Sequence, residues 1–335
     1  PTANSEKGLK KPHQSSTSQP LYFDRVSTTF KPSRPPSGDP QYFAVRQALP
    51  LWTRQDDIRR ILRRKDVLIL VGETGSGKST QVPQFLYEER WCRKKKVKVE
   101  LDGTTQEVSV GGVIAVTQPR RVAATTLAHR VSREVGTPLS GHSLNGLVGY
   151  SVRFDHRVPW GTKIKYLTEG MLLQEMLRDP HLRQYSAIIV DEIHERSVDV
   201  DLLAGFLKQI ICSDKAGRGG VPLKVVIMSA TANVESIKRF FSLGDPATEG
   251  NDSVEYLRIE GRQFPVEIIH TPKPVPDIEE ALLETITKIH TEDTLSDKHG
   301  RKDILAFLPG QEQIESAKDR IEEWASGLDP NLPKI

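Results

Sequence analysis

The chain has 335 residues, enough for roughly two domains, with 37% hydrophobic and 27% charged residues and a formal net charge of +3. That balance fits a globular protein with a buried core, and no apolar run nears the roughly 18 residues needed to cross a membrane. The polar N-terminus lacks the apolar stretch of a secretory leader, and Cys92 and Cys212 alone make neither a disulfide framework nor a cysteine zinc site, so a reducing, intracellular setting is expected.

Residues 1–41 are rich in Ser, Thr, Pro and Lys, with Pro32, Pro35, Pro36 and Pro40 close together, and read as a flexible polar tail. Regular structure is expected from Tyr42 to Leu51, then a helix over Thr53 to Arg64 bearing a basic group, Arg59, Arg60, Arg63, Arg64 and Lys65. The apolar run Val67 to Val71 follows and reads as a buried parallel strand.

That strand leads directly into Gly72-Glu73-Thr74-Gly75-Ser76-Gly77-Lys78-Ser79, a complete phosphate-binding loop. Glycines at 72, 75 and 77 permit backbone angles that turn successive amides inward around phosphate oxygens. A helix starting near Lys78 adds the positive end of its dipole, the Lys78 ammonium reaches the β- and γ-phosphates, and the Ser79 hydroxyl supplies one ligand to Mg2+.

A second basic run, Arg90, Arg93, Lys94, Lys95, Lys96 and Lys98, follows the first helix of this fold. It suits phosphate contacts, a solvated face or part of a nuclear address. Alternating Val97, Val99, Leu101 and Val108, Val110 around Asp102-Gly103 predict a hairpin insertion over about 96–112. Further strands are expected at Gly112 to Thr117, Gly146 to Val152, Lys163 to Leu167, Ala187 to Val190, Leu223 to Met228, Tyr256 to Ile259 and Val266 to His270. Helices are expected at Arg121 to Val135, Glu169 to Arg178, Val200 to Ile211 and Val234 to Phe241. This alternation predicts an α/β fold whose mostly parallel sheet is covered by helices on both faces.

The strand Ala187 to Val190 ends in Asp191-Glu192-Ile193-His194. An aspartate at such a strand end suits Mg2+, and a neighbouring glutamate suits proton abstraction from a water attacking the γ-phosphate. Asp191 is therefore the expected metal residue and Glu192 the expected base. His194 is a candidate link to the polar strand end Ser229-Ala230-Thr231, which makes Ser229 and Thr231 coupling candidates. His142, His156, His181, His270 and His290 show no metal-ligand spacing, and the dispersed Trp52, Trp91, Trp160 and Trp324 read as packing residues.

Taken in order, Gly72 to Thr80, Thr117-Gln118-Pro119-Arg120-Arg121, Thr168 to Leu172, Asp191 to His194 and Ser229 to Thr231 resemble the first-domain motifs of the DEAH-box (DExH) RNA helicases of superfamily 2. The resemblance runs from about Arg46 to the C-terminus, where Ile304 to Ile314 is similar to the first strand and following helix of a second RecA-like domain. It implies a P-loop NTPase RecA-like domain over 42–262 and the start of a second over 263–335. It also implies ATP as nucleotide, with other NTPs as alternatives, bound by Gly72 to Thr80 together with Mg2+ at Ser79, Asp191 and Glu192. Lys78, Asp191, Glu192 and His194 become the catalytic set, and Arg130 the residue that stacks on the base. Thr117, Arg120, Arg121, Arg153, Phe154, Thr168 and Gly170 become contacts to the backbone of RNA.

Within that family, Ile114 to Arg121, Pro222 to Thr231 and Glu260 to Pro265 look most like members acting in ribosomal RNA processing, with splicing members as close rivals. The expectations that follow are a nuclear or nucleolar ATP-dependent RNA helicase, monomeric or part of a large RNP, with a glycine-rich activator protein among its partners. The alternative is an ATP-gated RNA-binding or scaffold fragment. Ile193 stands where the family name has alanine, with Asp, Glu and His intact. The sequence stops at Ile335, before the second-domain arginine motif, whose counterparts elsewhere contribute about 10³ to 10⁵ in rate, so this piece alone is expected to hydrolyse ATP poorly.

Overall fold

A computed structural model describes residues 40–101, 103–141, 143–212, 215–231, 235–242, 254–261, 266–295 and 303–328. The expected tail before residue 40 and the expected domain boundary near 263 lie outside them. The chain divides into two compact units, Pro1–Gln263 and Phe264–Ile335, and each is described by itself.

The first unit begins with α1 (Pro40–Gln47), a short 3₁₀ turn (Pro50–Arg54), α2 (Gln55–Arg64), β1 (Val67–Gly72) and α3 (Lys78–Leu86). A hairpin of β2 (Lys95–Leu101) and β3 (Thr104–Val110) comes next, then β4 (Val113–Thr117), α4 (Arg121–Val135), β5 (Val148–Val152), β6 (Asp155–Arg157) and β7 (Ile164–Leu167). The unit closes with α5 (Glu169–Arg178), β8 (Tyr185–Val190), α6 (Val198–Cys212), β9 (Lys224–Ser229), α7 (Glu235–Phe241) and β10 (Val254–Ile259).

Eight strands form one sheet in the order β10-β1-β9-β8-β4-β7-β5-β6, parallel except where β6 pairs antiparallel with β5. The period-two alternation of side chains explains why nearly every strand residue is apolar: both faces are covered. Leu68 and Leu70 of β1, Ile114 and Val116 of β4, and Val226 and Met228 of β9 pack with Phe85 of α3 and Ala128 of α4 on one face. Ile69, Ala115, Ile188 and Ile227 pack with Leu172 of α5, Leu203 and Leu207 of α6 and Phe241 of α7 on the other. The helices carry local signals of their ends. Asp56 and Asp57 open α2 and Arg63 and Arg64 close it, complementing the helix dipole. α4 ends on Gly136 at φ 71°, whose amide bonds back to Arg133, while the Thr137 amide bonds to Ser132.

The expected hairpin forms at 95–110 as a separate two-stranded sheet. Two expected strands do not form. Val266 to His270 and the segment from Ile304 are irregular, and Val266, Ile268, Ile269, Leu305 and Phe307 are exposed. Their composition suits strands, but a strand exists only against a partner, and the described residues of the second unit contain α8 (Ile278–Leu295) and α9 (Gln311–Ser326) and no strand. Trp160 also departs from its expected packing role, being 64% exposed, whereas Trp52 packs edge-on against Phe43 and Phe85.

One buried ion shows how a loop is fixed to the sheet. Arg218, 2% exposed, donates to the carbonyls of His181, Leu182, Tyr185 and Val221, and burial lowers its pKa to about 10. Arg218→Ala strands several of these buried acceptors and should cost about 2–4 kcal/mol in urea denaturation. A loss under about 0.5 kcal/mol would show that the carbonyls find other donors.

Candidate nucleotide site and RNA-facing rim

The strand order places the carboxyl ends of β1, β9, β8 and β4 side by side, where open α/β sheets bind ligands. Gly72, Ser229, Asp191 and Gln118 lie at or just beyond those four ends. The phosphate loop leaves β1 and closes on itself: Ser76 Oγ donates to the Glu73 carbonyl at 2.7 Å and Gly77 sits at φ 95°, opening α3. A side chain at Gly77 would meet Leu49 at 2.9 Å in addition to the backbone strain, so glycine is required there. Thr74 and Gly75 form the exposed tip, and Thr80 Oγ1 donates to the Gly77 carbonyl at 3.2 Å. Lys78 is 5% exposed and its ammonium donates to the carbonyls of Gly72 and Glu73. Burial lowers its pKa, opposed by Asp191, Glu192 and Glu73.

Ser79 and Asp191 lie close together. The Asp191 carboxylate is fully buried and accepts hydrogen bonds from the Gln118 side-chain amide and the Glu192 backbone amide, with the Ser79 hydroxyl near enough to favour its charged form. Burial raises its pKa to about 6, and Ser79 and Gln118 work against that rise. The buried Tyr166 hydroxyl donates to the Ser79 carbonyl at 2.8 Å, fixing the loop from β7. Ser79 and Asp191 form an all-oxygen pair beside an anion cradle. That donor set fits Mg2+, which takes few protein ligands and completes its shell with substrate phosphates and water. No cluster of three or more His, Cys, Asp or Glu able to hold a metal exists among the described residues.

Glu192 sits at φ 52°, a left-handed angle that costs a non-glycine residue on the order of 1–3 kcal/mol. Its Oε2 lies 3.5 Å from His194 Nδ1. His194 Nδ1 in turn accepts a 3.4 Å hydrogen bond from the Ala230 amide, while Ser229 Oγ donates to the Thr231 carbonyl and accepts from the Thr231 amide, both at 3.1 Å. The expected link to the strand end therefore exists but runs through the Ala230 backbone, because Ser229 and Thr231 satisfy each other. A cleft of about 380 Å³ beside the loop is lined by Gly72, Glu73, Ala230, Arg258, Glu260 and Gly261.

The DEAD/DEAH box helicase family model matches residues 53–240, more than half of the chain. The chain belongs to that family. It is 40% identical over 307 residues to "ATP-dependent RNA helicase DHX33" of Homo sapiens, covering 91% of this chain and 38% of the relative. It is 39% identical over 284 residues to "Probable ATP-dependent RNA helicase DHX35" of Homo sapiens, covering 84% and 36%. It is 37% identical over 325 residues to "Pre-mRNA-splicing factor ATP-dependent RNA helicase DEAH10" of Arabidopsis thaliana, covering 87% and 40%. The chain thus spans well under half the length of these curated relatives.

In this DEAD/DEAH box chain the residues expected to face RNA divide by exposure. Arg120, Arg121, Arg153 and Phe154 are exposed, with Phe154 at φ 69° and Arg153 stacked on its ring at 4.9 Å. Arg120 reaches Glu195 at 3.6 Å. Thr168 and Gly170 are half-buried. Thr117 departs from expectation: it is fully buried, because it ends a central strand covered on both faces, so its hydroxyl is not exposed for a backbone contact. Arg130 is half-exposed, bonded through Nε to Glu134 at 2.7 Å and stacked 4.8 Å from the Tyr42 ring.

Four contributors carried no strong sequence signal. Gln118 sits inside the motif at 117–121, but its grip on Asp191 emerges only from the pairing of strand ends. Gln81 and Gln84 of α3 both donate to the buried Glu134 carboxylate of α4, at 2.9 and 2.7 Å. Glu169 is 4% exposed with one carboxylate oxygen unpartnered. Burial, and then the nearby carboxylates of Asp199, Glu195 and Asp191, raise its pKa to about 7. A carboxyl raised in the folded state stabilises below its ordinary pKa, and that contribution is lost as pH rises through the folded value. Stability should therefore fall between about pH 5 and pH 8, and Glu169→Gln should flatten that slope in thermal melts across the interval. An unchanged slope would mean that Glu169 titrates normally.

Proposed function

We propose that this chain is the ATP-binding part of an ATP-dependent RNA helicase that couples hydrolysis to movement along single-stranded RNA and to unwinding or RNP remodelling. The observation that carries the reading is that the phosphate loop after β1 and the buried Asp191 just beyond β8 stand together at the carboxyl edge of the sheet, close enough for Asp191 and Glu192 to act on Lys78, which joins both halves of a nucleoside triphosphate site. The exposed rim of Arg120, Arg121, Arg153 and Phe154 adds cations and a ring suited to RNA backbone and base faces.

In the proposed mechanism the amides of Gly72 to Ser79 cradle the phosphates of ATP, and Lys78 turns from the Gly72 and Glu73 carbonyls to the β- and γ-phosphates. Ser79 and Asp191 hold Mg2+, with Glu192 beside them. The ion supplies neutralisation of charge on the transferred phosphoryl group. Glu192 accepts the proton of the attacking water, and His194, which takes the Ala230 amide, stands beside it, so a change at one strand end is felt next to the other. Arg130 stacks on the base after giving up Tyr42, and other NTPs follow from how little base-specific chemistry stacking involves. Residues 42–262 act as the first RecA-like domain and 263–335 as the beginning of a second.

Ribosomal RNA processing is the proposed pathway, on the likeness of the segments at 114–121, 222–231 and 260–265 to members with that role. A nuclear or nucleolar location, a large RNP and a glycine-rich activator belong to the same proposal. Pre-mRNA splicing is the second reading, favoured by the name of the Arabidopsis relative. RNA crosslinking in cells separates the two by the transcripts recovered.

In the full-length parent protein, Glu192→Gln should lower RNA-stimulated ATP turnover by about 10² to 10⁴ while ATP binding persists. Lys78→Ala should instead weaken ATP binding itself, by about 10- to 100-fold, as loss of a charge-assisted contact. Undiminished turnover in the first variant would remove Glu192 as the base. Turnover stimulated by single-stranded DNA and not by RNA would replace the RNA reading.

A further inference from the structure

The β2–β3 hairpin is not used by the nucleotide site, yet it carries a large share of the molecule's positive charge. Residues 90–98 hold six cationic side chains and no acidic one. Over 90–110, with Glu100, Asp102 and Glu107 included, the balance equals the +3 of the entire chain. Arg90, Arg93, Lys94, Lys95, Lys96 and Lys98 are all exposed. Lys96 pairs with Glu107 at 3.0 Å across the strands, and the other five make no ion pair among the described residues.

The hairpin is fixed in place. Val99 and Val110 are 3% and 0% exposed, and Val97 lies against Gly219, where even a methyl group would come within 2.6 Å of it. Both roots converge on one hydroxyl: Ser186 Oγ donates to the Cys92 carbonyl at 3.0 Å and accepts from the Gly112 amide at 2.8 Å. The Gly111 amide adds a 2.7 Å bond to Arg183, and Gly111 and Gly112 take φ of 83° and 106° to make the exit turn. With its apolar side buried, the hairpin turns Lys96 and Lys98 outward in one orientation, on the face that Glu100 and Glu107 share, with Lys94 beside them and Lys95 exposed at the start of the strand. The cost of ordering these side chains on a partner is limited to their own rotamers, since the backbone is already set.

The position of the patch separates it from the ATP site. Ser186 lies near the amino end of β8 and Asp191 just beyond its carboxyl end, about 17 Å apart at roughly 3.3 Å per residue. Exposed cations at that distance do not serve the triphosphate. Nor does the patch carry an exposed aromatic side chain, Trp91 being half-buried, so stacking on bases is absent from its repertoire. Unpaired lysines without aromatics match phosphodiester oxygens, a charge contact indifferent to sequence.

We propose that the exposed side of the β2–β3 hairpin, with Arg90, Arg93, Lys94, Lys95 and Lys98, is a second RNA-backbone contact, at the amino ends of the strands, that holds RNA extending beyond the strand on the motif-bearing rim. This rests on RNA being the substrate. The hairpin adds electrostatic affinity and anchorage without taking part in hydrolysis.

The test uses the whole 335-residue chain and two fluorescent probes, a 10-nucleotide uridine strand and the same strand extended by a hairpin duplex. A variant with Lys94→Gln, Lys95→Gln, Lys96→Gln and Lys98→Gln should bind the extended RNA about 10- to 100-fold more weakly at 100 mM salt. Its plot of log affinity against log salt should be shallower by about 2–4, since each phosphate contact contributes roughly 0.7–0.9 to that slope. Affinity for the short strand and for ATP should be unchanged, and a Lys→Arg version at the same four positions should restore extended-RNA binding. Bound extended RNA should also protect Lys94 to Lys98 from acetylation in the unaltered chain, a readout that needs no variant. Equal affinity and slope in the Gln variant, with no protection, would overturn the proposal while leaving RNA binding at the rim intact. So would loss of binding to a polyglutamate peptide with none to RNA, which would mark the hairpin as a protein contact. If the unaltered chain binds neither RNA, the RNA reading of the function fails and this one with it.

Discussion

The first unit depends on a carboxylate that has no access to water. Asp191 stands just past the most central part of the sheet, the Gln118 and Glu192 amides donate to it, and the Ser79 hydroxyl lies near enough to favour its charge. Each of these groups comes from a different strand end or loop, so satisfying one buried charge fixes the phosphate loop, the end of β4 and the turn after β8 relative to one another. An unpaired carboxylate at that depth is costly, which makes the arrangement self-enforcing. The same geometry draws Lys78 into the interior, where burial lowers its pKa and Asp191 and Glu192 oppose that effect.

Around this point the protein concentrates groups that ordinary packing avoids. Glu169 is buried with an unsatisfied oxygen, Thr117 has a buried hydroxyl without a partner, and Glu192 holds a left-handed backbone angle. Elsewhere buried charges are well paired: Glu134 collects Arg130, Gln81 and Gln84, and Arg218 collects four carbonyls. These groups lie along the edge where the loop, the Asp-Glu turn and the rim meet, while the unpartnered Trp91 ring nitrogen lies apart from them at the hairpin root. Such clustering is the usual mark of a site whose polar atoms are kept for a ligand or a movement.

Much of this was legible in residue patterns because the sheet is covered on both faces. Uninterrupted apolar runs such as Val67 to Val71 and Ile188 to Val190 admit few structures other than buried parallel strands, and α4 and α5 begin and end at the residues their patterns indicate. The nucleotide loop was legible because its chemistry is local: glycines, a lysine and a serine at fixed spacing. What escaped was non-local. The grip of Gln118 on Asp191, the burial of Thr117 and the raised pKa of Glu169 arise from strands adjacent in space and distant in sequence. Val266 to His270 failed as a strand for the same reason, since apolar composition does not supply a ladder partner.

β8 has one further property. Its amino end is tied through Ser186 to both roots of the hairpin, its carboxyl end passes into Asp191, and every residue between is fully or nearly fully buried among parallel neighbours. A strand held in that way neither stretches nor slides. It acts as a ruler, keeping the lysine-bearing hairpin and the phosphate loop at a constant separation whatever moves around them, so a load on one end is borne by the whole sheet and not by a loop.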